Sequence, residues 1–218
     1  LAPLSSAPLA ATTAGFCVTV IIPKPVGEKT MYEGYAGLIF DMDGTILDTE
    51  PTHRQAWNEV LGRYGMRFDE HAMVALNGSP TWRIAQAIIE LNQADLDPHR
   101  LAQEKTQAVK AMLLDSVRPL PLIEVVKAWH GRRPMSVGTG SESAVAEALL
   151  AHLGLRHYFS AVVAADHVVN HKPAPDTFLL CAERMGVAPE KCVVFEDADF
   201  GLQAAKRAGM DAVDVRLL

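Results

Sequence analysis

The stretch Leu38–Pro51, LIFDMDGTILDTEP, decides how the rest of the chain is read. Gly37, Leu38, Ile39 and Phe40 are apolar without alternation, as in a strand buried on both faces of a parallel sheet. That run ends in two aspartates, Asp41 and Asp43, set into a turn made by Gly44 and Thr45. A carboxylate delivered from a buried strand is costly unless a cation or a bound group compensates it. In a strand, residues i and i+2 share a face, so both acids can address one reacting group.

Outward from this point the hydrophobic period changes. Ala56, Trp57, Val60, Leu61 and Tyr64 fall on one helical face, and Gly65 is placed to stop that helix. A second helix follows the breaker in NGSPTWR, residues 77–83. A third opens with Asp97 as N-cap and Pro98 at its first position, and PLIEVVKAWHG ends a fourth at Gly131. From there strands and helices alternate: PMSVG, SESAVAEALLAHLG, SAVVAA, APDTFLLCAERMG, KCVVFED, FGLQAAKRAG and DAVDV. Alternation implies right-handed parallel crossovers and a doubly wound parallel α/β sheet. The expected organisation is a core made of residues 31–49 and 118–218, with residues 50–117 as an all-helical insertion after the first strand. Residues 1–30, rich in Ala, Ser, Thr and Pro and without helical period, are expected to be a leader outside the fold.

At 218 residues, 49% of them hydrophobic, the chain can bury one fair-sized core and a smaller unit. A net charge of −6 gives no basic face for nucleic acid, and no stretch is apolar and long enough for a bilayer. Three cysteines, Cys17, Cys181 and Cys192, show neither CxxC spacing nor an even count, which suits a reducing, cytoplasmic setting. Trp57 and Trp129 read as packing.

Ligands of an open parallel sheet sit at the carboxyl ends of its strands. The strands deliver Asp41 and Asp43, then Thr139 and Ser141 from VGTGSES, and Glu196 and Asp197 from VFEDADFG, while Lys172 stands in HKPAPDTF. Carboxylates, a hydroxyl and one lysine describe a Mg²⁺ site facing a phosphoryl group. An Asp can attack phosphorus, and a second Asp can move the proton of the leaving alcohol and of water.

DxDGT, a hydroxyl after the second strand, KPxP and the ED pair occur here in the order of the haloacid dehalogenase superfamily, which this chain resembles. The resemblance covers residues 38–201 and extends to phosphatases and mutases of the beta-phosphoglucomutase kind. It implies a Rossmann-like core with a helical cap and a Mg²⁺-dependent phosphatase of small sugar phosphates, fructose 1-phosphate or 6-phosphogluconate in type. The implied nucleophile is Asp41 and the acid/base Asp43. Mg²⁺ would be held by Asp41, the Asp43 carbonyl and Asp197, with Glu196 in support; Thr139 and Lys172 would hold phosphate oxygens and Thr45 would orient the Asp43 loop. Substrate contacts are expected from His53, Asn77, Arg83 and Ser141. Position 81 is Thr, where a mutase would want an arginine for a second phosphate. A phospho-receiver domain is the non-enzyme alternative, but the DxDGT spacing and the insertion speak against it. The expected assembly is a monomer or weak homodimer.

Overall fold

The computed structural model describes residues 32–69, 76 and 79–218. The expected leader and Asn77 therefore lie outside the described residues. The centre is a five-stranded sheet of β1 (Gly37–Phe40), β4 (Met135–Gly138), β5 (Ala161–Val163), β6 (Cys192–Glu196) and β7 (Asp211–Asp214). Their order is β5-β4-β1-β6-β7, every pairing is parallel, and Phe40 sits opposite both Val137 and Phe195. A short antiparallel pair, β2 (Leu47–Asp48) with β3 (Arg118–Pro119), was not foreseen.

Strand alternation sorts the core into two layers. Leu38, Phe40, Val137, Val193 and Phe195 point to one side, where Ile123, Val126 and Trp129 of α4 (Ile123–Trp129) and Val145 and Leu149 of α5 (Ser143–His152) cover them. Ile39, Val163, Val194 and Ala212 point to the other, under Phe178 and Cys181 of α6 (Asp176–Met185) and Ala204 and Ala205 of α7 (Asp199–Arg207). Both faces of the sheet are therefore dry, which explains the unalternating apolar runs. Phe40 and Phe195 stack with ring centroids 4.7 Å apart.

Between β2 and β3 lie α1 (Glu50–Gly62), α2 (Thr81–Leu91) and α3 (Pro98–Ser116). Trp57, Val60, Leu61, Ile88 and Leu101 pack together as their own cluster. Asp97 caps α3 as its sequence suggests, accepting the His99 N–H at 2.9 Å. Tyr64 and Gly65 fall beyond the end of α1, in a turn where Gly65 takes a φ of +66°. No helix among the described residues is long and apolar enough to cross a membrane.

Candidate active site

The carboxyl ends of β1, β4 and β6 meet at one point. The Asp41 N–H donates to the Phe195 carbonyl at 2.9 Å, so the parallel ladder carries one residue past β1 and fixes Asp41 at the sheet edge. The chain then turns tightly: the N–H groups of Thr45, Ile46 and Leu47 all donate to the Met42 carbonyl. Gly44 is required there twice over. Its φ is +84°, and a Cβ at this position would meet Asp197 Oδ2 at 2.5 Å.

The two aspartates occupy opposite surroundings. Asp41 is buried and accepts from Lys172 Nζ at 2.7 Å; the same ammonium donates to Glu196 Oε2 at 2.8 Å. Lys172 and Glu196 are also buried, and the Lys172 Nζ lies 4.8 Å from the Phe178 ring centre. Burial would depress Lys172, but the charges of Asp41 and Glu196 outweigh it and hold its pKa above the usual lysine value. Burial, and then the Glu196 charge, push Asp41 up strongly. Burial and Glu196 likewise raise Asp197 to about 7.

Asp41, Glu196 and Asp197 can each offer an oxygen within 4.8 Å of the others. Three carboxylates around one lysine leave an excess of negative charge, which is relieved either by protonation or by further positive charge. An all-oxygen donor set of this kind fits a hard divalent cation. The Asp43 carboxylate is not in this cluster.

Instead Asp43 points at four donors. Thr49 Oγ1 (2.7 Å) and His53 Nε2 (3.2 Å) reach Oδ1, and Ser141 Oγ (2.8 Å) and Thr139 Oγ1 (3.2 Å) reach Oδ2. Burial alone would raise Asp43, but the hydrogen bonds from His53 and the hydroxyls hold it well below the carboxylate range. Behind His53 stands Lys105, buried on α3, whose ammonium donates to His53 Nδ1. A lysine ammonium can only donate, so Nε2 carries the ring hydrogen and donates it in the hydrogen bond to Asp43 Oδ1. Burial first, then the Lys105 charge, lower the His53 pKa, in keeping with a neutral ring.

Asp41, Asp43, Thr139, Lys172, Ser141, His53, Glu196 and Asp197 thus come together. Thr45 is used differently from the expectation: its hydroxyl donates to Asp197 Oδ1 at 3.0 Å and so orients an acid of the metal-type cluster. Arg83 lies at the start of α2, its guanidinium 6.0 Å from the centre of the Phe200 ring of α7. Thr81 opens α2. The sequence reading missed Thr49 and Lys105. Lys105 had a signal, since it interrupts an apolar stripe with Leu101 and Val109 at i, i+4 and i+8.

Comparison with known proteins places these residues in context. The haloacid dehalogenase-like hydrolase family matches residues 35–209. Escherichia coli fructose-1-phosphate phosphatase YqaB is 84% identical over 188 residues, 86% of this chain and 100% of that protein. Beta-phosphoglucomutase of Bacillus subtilis is 30% identical over 82% of both chains. The crystal structure of CbbY from Rhodobacter sphaeroides in complex with xylulose-(1,5)bisphosphate superposes with a TM-score of 0.73 at 27% identity, over 82% of this chain and 84% of that one.

Proposed function

Because the chain belongs to the haloacid dehalogenase-like hydrolases, we propose that it is a Mg²⁺-dependent phosphatase of small sugar phosphates, fructose 1-phosphate or 6-phosphogluconate in type. The observation that carries the reading is the division between two aspartates two residues apart. Asp41 is held by Lys172 beside the acidic cluster, and Asp43 by hydroxyls and a histidine. One fold thereby gives two carboxyl groups different work. The likeness to the Escherichia coli fructose-1-phosphate phosphatase supports the substrate class.

In the first half-reaction an Asp41 oxygen bonds to phosphorus while the bond from phosphorus to the sugar oxygen breaks. Asp43 gives that oxygen its proton. In the second, Asp43 takes a proton from water as the water oxygen bonds to phosphorus; the Asp41 oxygen leaves, and phosphate is freed. Asp43 as it stands accepts from four donors and is therefore ionised. To act as the acid it takes up a proton, and the Thr139 and Ser141 hydroxyls allow this because they can rotate from donating to accepting. Lys172 holds phosphate oxygens and neutralises charge on Asp41. Asp41, Asp197 and the Asp43 carbonyl would hold Mg²⁺, with Glu196 in support; when bound it supplies positive charge to the phosphoryl oxygens.

His53, Ser141, Asn77 and Arg83 are assigned to the sugar, residues 50–117 to a cap that closes over it, and residues 31–49 and 118–218 to the catalytic core. We place the protein in the cytoplasm. Thr81, a neutral hydroxyl in place of a guanidinium, argues for water over a second phosphate ester as acceptor, since bidentate arginine binding of phosphate has no hydroxyl equivalent. The test is phosphate release from a panel including fructose 1-phosphate and 6-phosphogluconate, with and without Mg²⁺. In parallel, β-glucose 1-phosphate is incubated with a trace of glucose 1,6-bisphosphate. Fast release from the panel supports the reading; efficient conversion to glucose 6-phosphate without release overturns it in favour of a mutase.

A further inference from the structure

Gly201 is the third residue of α7 and lies directly over the Glu196 side chain. Its φ is not in the left-handed region, so the backbone there accepts any L-residue. What it lacks room for is a side chain. A Cβ on Gly201 would stand 2.5 Å from Glu196 Cγ and closer still to the carboxyl group. Glu196 has nowhere to retreat: it is fully buried, its Oε2 accepts from Lys172 at 2.8 Å and its Oε1 from the Ala198 N–H at 3.0 Å. Lys172 in turn donates to Asp41 at 2.7 Å. A weak helix former thus occupies a helix at the one point where alanine would displace an acid.

We propose that Gly201 is a positioning residue for the reaction: the space left by its absent side chain seats Glu196, and through Glu196 holds Lys172 against Asp41. The kinetic half of this inference rests on the phosphatase reading; the seating half does not. The test is a double-mutant cycle in the full chain with Gly201→Ala and Glu196→Ala, following melting temperature and sugar-phosphate hydrolysis. Gly201→Ala alone lowers the melting temperature and cuts kcat by about a hundredfold with little change in KM, the scale of a loss from displacing a group near the reacting atoms. In the Glu196→Ala background the same substitution raises the melting temperature or leaves it unchanged, because helix propensity alone now decides, and kcat falls no further. If Gly201→Ala does not fold while the double variant does, the result is the same in its extreme form. Glu196→Ser repeats the comparison should Glu196→Ala be poorly folded. An equal loss of melting temperature in both backgrounds overturns the seat, and an unchanged kcat in a destabilised Gly201→Ala overturns the positioning role. Were no variant, nor the parent, to hydrolyse any sugar phosphate, the phosphatase reading would fail while the reversal in melting temperature still decided the seat.

Discussion

At Asp41 the prediction separates chemistry from folding. An asparagine side chain can still accept the Lys172 bond through its oxygen, and it removes one of three crowded carboxylates. Asp41→Asn should therefore lose at least about 10⁴-fold in phosphate release while its melting temperature stays level or rises; circular dichroism and a phosphate assay check both, and substantial residual turnover would remove Asp41 as nucleophile. Lys105 gives the pH dependence. Burial lowers its pKa from 10.5 to about 8, so between these values the folded chain binds fewer protons than the unfolded one. The cost of keeping this ammonium buried, about 3 kcal/mol at the full shift, is present below pH 8 and disappears as pH rises towards 10.5. Lys105→Met should accordingly be more stable relative to the parent at pH 7 than at pH 10, measured by urea unfolding at each pH; a constant difference would mean that Lys105 is not depressed. Residues of the motifs were legible because few other arrangements place Asp, Asp, Gly and Thr together at a strand end. Lys105 was legible only in part: its place in an apolar stripe marked it as buried, but only the fold shows that it faces His53.

Elements follow the same division. The buried parallel strands were readable from apolar runs that could not alternate, and the helices from their period and punctuation, Asp97 before α3 and the glycines after α1 and α4. The β2–β3 pair was not readable, because strands of two residues have no period, and Leu47–Pro119 pairing joins segments far apart in the chain. The helical block owes its shape to packing more than to propensity. Ile88 is almost wholly buried in the cluster it shares with Trp57, Leu61 and Leu101. Ile88→Ala should cost about 2–5 kcal/mol, read by chemical denaturation; a loss under 1 kcal/mol would show a cluster loose enough to close the gap.

For the whole molecule, the proposed Mg²⁺ at the acidic cluster would make stability and activity depend on the same cation. EDTA should abolish phosphate release and lower the melting temperature, and Mg²⁺ should restore both, because a ligand bound by the folded state alone stabilises it; full turnover in chelator would overturn the cofactor assignment. The Escherichia coli relative is matched along its whole length by 86% of this chain. A chain starting at Met31 is thus expected to keep its melting temperature and activity, and a marked fall in either would make residues 1–30 part of the fold.

The β2–β3 pair also sets how the helical block is joined to the sheet. The chain enters and leaves the helical block at Leu47–Asp48 and Arg118–Pro119, and these two segments are tied side by side by backbone bonds, like two leaves on one pin. Were residues 50–117 to move as the proposed cap, such a joint would favour a swing about a single line over a twist. Displacement grows with distance from the pin. Thr49 and His53, just beyond β2, would then shift least and keep their bonds to Asp43. A door hung so close to Asp43 would open for the proposed sugar without disturbing the proposed proton-handling group.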